Sequence, residues 1–309
     1  MEHTKGFLAS ALSGITFGLI PLFTLPLLAM GVGSGSILAY RFLLAALMML
    51  PFMFLQKVSF KVTARELLFL VLLSLAYNGS AYFLFLSYKY LSSGVATSVQ
   101  MVYPIIVMFI MIYFFSEKKS IALFTAAIMA IIGVGLLSYG EYAQGANMLG
   151  VFLSLAGASC YAFYIVIVNK SVLKDMDNIK LTLYVLLFCG IFFMAAASAS
   201  GTLQRMPGAA AWLKLTMLAF VCTVVANVTL VVGIKRVGSV IVSIMGALSP
   251  VTAVIVGILV FNEVVTRAIF SGLVLVFLSA FIVIFAGRLD RHMKVFINMS
   301  VGHLGIKVK

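Results

Sequence analysis

Charge is what this sequence lacks. Of its 309 residues only 9% are charged, while 64% are hydrophobic, and a soluble domain carries roughly a quarter charged residues. So sparse a set cannot cover the surface of a soluble fold, and composition therefore points to a bilayer. The charges also cluster: no Asp, Glu, Lys or Arg occurs in 6–40, 67–88, 90–116, 120–140, 142–169, 181–204, 215–234, 237–262 or 268–287. Histidine is confined to His3, His292 and His303, and no Asp lies in any of the apolar runs. That excludes a zinc protease of the HExxH type and leaves a serine nucleophile without a base. A phosphate-binding GxxxxGK[ST] loop is missing as well, so ATP is not hydrolysed here. Cysteine is scarce: Cys160, Cys189 and Cys222 are odd in number, lack CxxC spacing and read as small packing residues. No catalytic residue, metal or cofactor is expected, and the chain does not read as an enzyme.

What is present is length of apolar run. A helix needs about 20 mostly apolar residues to cross a hydrocarbon core of roughly 30 Å. Ten such spans are predicted near 7–29, 37–55, 67–88, 95–115, 120–139, 148–169, 181–200, 212–233, 239–261 and 268–287, the second with Arg41 in its first turn, where it either snorkels to the outer interface or steers a carboxylate or phosphate. The runs are continuous, unlike the alternating strands of a membrane barrel. The first is too long for a signal-peptide core and is read as a retained helix.

The net charge of +13 is spread unevenly, which argues against nucleic acid as a partner. With the N-terminus inside, 16 of the 21 basic residues fall on the cytoplasmic side; the exceptions are Arg41, Lys89, Arg205, Lys214 and Arg267. Retention of basic residues in the cytoplasm accounts for this asymmetry. The reading is a multi-pass protein of the cytoplasmic (inner) membrane, with both termini cytoplasmic.

The sequence also repeats. Shifted by 146 residues, Pro104 falls on Pro250 and Glu117 on Glu263, with YPIIVMFIMIYFFSEKKS (103–120) over SPVTAVIVGILVFNEVVT (249–266). Each half holds five predicted spans. Because five is odd, the second half enters the bilayer from the opposite side. The predicted fold is all-α: ten transmembrane helices as two inverted five-helix repeats, 5–140 and 147–288, followed by a basic cytoplasmic tail at 289–309. Inverted repeats are a transporter architecture with the substrate near the midplane between the halves.

YRFLLAAL (40–47), YPIIVMFIMIYFFSE (103–117) and SPVTAVIVGILVFNEVVTRAIFSGLVLVFLSAFIVI (249–284) resemble the EamA group of the drug/metabolite transporter superfamily, over about 5–288. The resemblance implies ten helices with both termini inside. It further implies a cavity lined by helices one to four and six to nine, and export of amino acids or other small metabolites. Two departures are Phe17-Gly18, where the family often has Trp-Gly, and Lys118-Lys119 after the first glutamate.

Candidate site residues follow from polar groups far from the span ends. Asn78 lies near the middle of span three, with Tyr82 and Phe85 at i+4 and i+7 on its face. A midplane amide needs a partner, which is either the solute or a neighbouring helix. Gln100 and Tyr103 share a face of span four, where Tyr103 could equally anchor at the interface. Thr223 and Asn227 are one turn apart on span eight. Phe17, Tyr161 and Tyr164 bring aromatic rings toward the centre, as a solute wall or as packing. On span nine, Ser243, Gly246 and Pro250 form a small-residue face suited to close packing. Glu117 and Glu263 read as structural, each facing the positive end of a following helix with Ser116 or Asn262 as its cap. Pro104 and Pro250 are structural breaks.

Together these features predict a secondary carrier working by alternating access, moving a neutral or zwitterionic, amino-acid-like metabolite, with export implied by the resemblance. No Lys or Arg stands mid-helix to clamp a phosphate. Other solute classes (a nucleotide-sugar, a drug, a quaternary amine) are the alternative, followed by a channel or a scaffold without transport. Expected partners are the small-molecule substrate and the lipid bilayer; a homodimer is left open.

Overall fold

The computed structural model describes residues 2–87, 90, 96, 99–117, 120–137, 147–261, 266–268, 270–272, 274–283 and 285. Among these every regular element is helical and no strand occurs. Hydrocarbon offers nothing to a bare N–H or C=O, so a helix that satisfies its own backbone is the economical solution for such runs.

The first run forms α1 (Glu2–Gly18) and α2 (Ile20–Ala29). Pro21 explains the break between them: it has no N–H for the Phe17 carbonyl, and the chain tightens, Leu19 N–H donating to Thr16 O at 3.3 Å. Next come α3 (Ser34–Leu55) and α4 (Ala64–Ser87). A reciprocal cap starts α4: Thr63 N–H donates to Glu66 Oε2 at 2.7 Å and Glu66 N–H to Thr63 Oγ1 at 3.3 Å. Then follow α5 (Tyr103–Phe115), α6 (Ile121–Leu137), α7 (Met148–Lys170) and α8 (Asn178–Ala199). Asn147 and Asp177 cap α7 and α8 through their side-chain oxygens. After α9 (Gly208–Ala219) the chain passes through a π-helical segment, Phe220–Val225, into α10 (Ala226–Val237). The last elements are α11 (Ser239–Met245), α12 (Leu248–Phe261) and an apolar helix α13 (Phe270–Val283).

Among the described residues seven stretches are long and apolar enough to cross a membrane: His3–Ala29, Ser34–Leu55, Ala64–Leu84, Met148–Lys170, Asn178–Ala199, Gly208–Val237 and Ser239–Val260. The other three predicted spans adjoin residues outside the described ones, and their described parts hold shorter apolar helices. The described part of the fourth is interrupted at Met101–Val102 and ends after Phe115. Pro104 sits in the first turn of α5, and Ser116 terminates it in a left-handed conformation with φ 51°. This corrects the expected role of Ser116. It closes α5, and Ser120 caps α6 by accepting the Leu123 N–H at 3.0 Å.

The helices pack pairwise. The most extensive contacts join α3 to α8, α4 to α7 and α1 to α10. α3 and α8 run antiparallel. At one end Ser36 Oγ donates to Thr202 O at 3.1 Å; at the other Tyr184 O–H donates to Phe60 O at 2.7 Å, and Lys180 donates to the Lys61 carbonyl. Gly190 lets this pair approach closely, since a Cβ there would meet Leu43 atoms at 2.7–2.9 Å. Small residues serve this purpose where lipid gives no hydrophobic drive to association.

One end of the bundle gathers the basic loops. Asn169 Nδ2 donates to Ile234 O at 3.1 Å, Lys235 donates to the Met176 carbonyl, and Lys170 Nζ pairs with Glu117 Oε1 at 3.2 Å. Glu117 thus ties the end of α5 to the end of α7. Leu8, Leu47, Phe109, Phe152 and Leu213 stand exposed, as a lipid-facing surface requires.

Candidate substrate site

Tyr77, halfway along α4, stands at the centre of an aromatic group. Its ring lies 4.9 Å from Tyr164 and 6.3 Å from Tyr161, both on α7, and 5.8 Å from Phe42 on α3. Tyr161 stacks on Tyr164 at 5.9 Å and meets Tyr103 of α5 edge-on at 4.9 Å. Such offset and edge-on pairs suit the ring quadrupoles. Tyr103 is buried and reaches across to α11, donating its hydroxyl to Ser243 O at 2.9 Å. Gly246 makes this fit: a Cβ there would lie 1.9 Å from the Tyr103 oxygen.

Beside the rings lies a polar group built on the π-helical segment. Its wider turn leaves backbone oxygens to be met by side chains. Thr223 Oγ1 donates to Leu218 O, five residues back, at 3.0 Å and accepts from Arg41 Nε at 2.5 Å. Arg41 Nη2 donates to Cys222 O at 3.0 Å, and the guanidinium also lies over Phe42 at 5.4 Å. Asn227 Nδ2 donates to Thr223 O at 2.8 Å, while its Oδ1 is buried without a partner. Ser13 of α1 closes the group from the other side through a bond to Ala226 O at 2.9 Å.

The predicted residues divide accordingly. Tyr103 and Tyr161 join the tyrosine group; Thr223 and Asn227 form the polar one. Asn78 is buried near the middle of α4 with its Oδ1 unpartnered. Gln100 is partly buried, and its Nε2 donates to Ser80 Oγ on α4 at 3.0 Å. Phe17 is partly buried against the core and makes no ring contact with the tyrosines. Tyr82 is not brought in: it is 55% exposed and continues the outer stripe of Leu68 and Leu75. Pro104 is buried in the first turn of α5. At Pro250, which cannot serve the Gly246 carbonyl, that oxygen accepts from Ser249 N–H at 3.0 Å where α11 ends. Glu263 and Asn262, with Lys89, Lys118, Lys119, the tail 289–309 and the Phe85 side chain, lie outside what is described.

Arg41 requires a correction. Snorkelling was expected, but the residue is 6% exposed and points inward. α3 begins at Ser34 rather than near residue 37, which puts Arg41 two turns deep, and the Thr223 hydroxyl with the Cys222 carbonyl offers it an inward destination. Sequence reasoning passed over Tyr77 altogether. The available signal for Arg41 was its position as a basic residue inside an apolar run, which is a functional pointer by default.

Known proteins can now be set beside this geometry. The model of the EamA-like transporter family matches residues 4–139 and again 148–285. The chain belongs to the EamA-like transporter family. This EamA-like chain is a multi-pass membrane transporter of the drug/metabolite superfamily, built of two family repeats. A solved structure, described only as the crystal structure of a protein, is similar over 93% of this chain and 99% of its own, with a TM-score of 0.79 at 16% identity. That likeness shows the fold alone. No curated protein matches the chain.

Proposed function

We propose that this EamA-like protein is a secondary carrier for a small neutral or zwitterionic, amino-acid-like metabolite, working by alternating access in the cytoplasmic membrane. The observation that carries the reading is a buried aromatic and polar group half-way along the helices, to which both repeats contribute. Tyr77, Tyr103 and Arg41 come from the first; Tyr161, Thr223 and Asn227 come from the second. Solutes bind at such a seam in inverted-repeat carriers.

The carrier has ten crossings in two inverted five-helix halves, 5–140 and 147–288, with a basic tail at 289–309 and both termini inside. The pairing of helices supports this. Taking α1 with α2, α9 with α10 and α11 with α12 as single crossings, exchange of the halves turns the α4–α7 contact into the α1–α10 contact and leaves α3–α8 as its own image. The short fourth, fifth and tenth helices complete the count. Outward transport follows from the family resemblance. Transport of radiolabelled amino acids into inverted membrane vesicles tests the reading: saturable accumulation supports it, and failure with every amino acid removes that substrate class.

A quaternary amine is the second reading, favoured by the three tyrosine rings around Tyr161, because cations are attracted to aromatic faces. Competition by choline against amino-acid uptake separates the two.

A further inference from the structure

Arg41 is a buried cation that the protein leaves without an anion. The chain has eight acidic residues, Glu2, Glu66, Glu117, Glu141, Asp175, Asp177, Glu263 and Asp290. All stand at the ends of the apolar runs or between them. Among the described residues no carboxylate pairs with Arg41, which is 6% exposed. Its neutral partners are the Thr223 hydroxyl and the Cys222 carbonyl. A guanidinium has five N–H donors in a planar fork that matches a carboxylate. Nε and Nη2 are used on the π-helical segment, and Nη1 makes no hydrogen bond among the described residues. Burying a charge this far from water is costly unless an opposite charge answers it.

A second group, one helical turn along, is unsatisfied in the complementary sense. Asn227 is 1% exposed, and its Nδ2 is committed to the Thr223 carbonyl. That bond fixes the amide, because the flipped form would set two oxygens against each other. Its Oδ1 is therefore a buried acceptor that no described donor meets. Tyr77 lies near both Arg41 and Asn227. The site thus offers a cationic fork bonded to the Thr223 hydroxyl and a bare acceptor on the amide bonded to the Thr223 carbonyl.

We infer that Arg41 receives the carboxylate, and Asn227 Oδ1 the ammonium, of a zwitterionic solute. This rests on the carrier reading and narrows its substrate class: the solute must carry both groups. Neutral sugars and quaternary amines without a carboxylate leave Arg41 unanswered, and a nucleotide-sugar answers it through its phosphates but brings no ammonium to Asn227.

The test uses the full-length protein in proteoliposomes, with radiolabelled leucine, threonine, phenylalanine and alanine as probes. Each is competed by the free acid, by its primary amide and by its decarboxylated amine. For the wild type, the acid should compete about ten- to a hundredfold better than either analogue, the range a charge-assisted hydrogen bond gives. Arg41→Gln should bring acid and amide within about threefold of each other by removing that bond, while Arg41→Lys keeps part of the preference. An amide that competes as well as its acid in the wild type overturns the inference and leaves the carrier standing. So does an Arg41→Gln protein that still prefers the acid, since Arg41 would then only brace the π-helical turn. Should Arg41→Gln fail to fold, the wild-type ratio decides alone. Failure to transport these four and every other amino acid removes the amino-acid carrier reading and this inference with it.

Discussion

At Gly246 the absence of a side chain lets two halves of the protein touch. The Tyr103 hydroxyl occupies the space where a Cβ would be, 1.9 Å away, while bonding Ser243 O. Gly246→Ala should therefore force Tyr103 out and cost about 1–3 kcal/mol of stability, the usual penalty for overpacking. Tyr103→Phe alone should cost about 0.5–1.5 kcal/mol for its lost hydrogen bond. Combined, they should cost less than their sum, because without the hydroxyl the new methyl keeps only the looser contacts, Ser243 O at 3.1 Å and the ring carbon at 3.3 Å. Thermal unfolding of the four proteins in detergent measures this; additive losses would mean that the two residues are not in contact. Residues of this kind were only partly legible. Tyr103 and Tyr161 were found as aromatics away from the span ends. Tyr82 was drawn in because i and i+4 share a helix face, yet it stands about 40° from Asn78 and only about 20° from Leu75 at 100° per residue. The boundary between core and lipid falls between them, and face arithmetic without a neighbour cannot locate it.

Among the elements, the π-helical turn at Phe220–Val225 is the one no periodicity announced. One added residue in a 30-residue apolar stretch, Gly208–Val237, changes nothing in its composition. The turn matters because it redirects Thr223 and frees the Cys222 carbonyl, and these two oxygens draw Arg41 inward. The Thr223 hydroxyl holds both bonds, one to Leu218 O and one from Arg41. Thr223→Val keeps the shape and deletes the oxygen, leaving a guanidinium donor buried without its acceptor. The expected loss is about 1–3 kcal/mol, whereas Thr223→Ser should stay near wild type in the same unfolding measurement. Equal losses in both would mean that the methyl group, not the hydroxyl, fits the turn. The proline breaks were easier to anticipate. Pro104 and Pro250 each lie at an observed interruption; Pro21 adds a break inside a span expected to be continuous, while Pro26 and Pro51 sit within helices.

For the whole molecule, the sequence carried more. Long uncharged runs are a consequence of the solvent, and the two family repeats are written in the register of Pro104 with Pro250. Their relative orientation is a different matter, since it depends on counting crossings, and three of the ten predicted ones are short helices. The contacts around α3 bear on it independently. Its first turn meets the 202–204 loop through Ser36 and Gly33, whereas the loop after its last turn meets the start of α8 through Phe60 and Lys61. A 22-residue α-helix is about 33 Å long at 1.5 Å per residue, enough to separate the two loops by a bilayer. Shifted by 146 residues, Ser59 falls on Arg205, so the two loops are also repeat equivalents, and the proposed inversion requires them to face opposite sides of the membrane. With the partly buried Cys160 replaced by Ala, and Cys189 and Cys222 fully buried, Ser59→Cys and Arg205→Cys can be labelled separately with a membrane-impermeant maleimide. Arg205→Cys should react in intact cells and Ser59→Cys only after permeabilisation, because the basic residues around Ser59 hold that loop inside. Reaction of both from one side would make the halves parallel. The seam between them would then no longer relate one face of the membrane to the other, and alternating access through it would have no geometric basis.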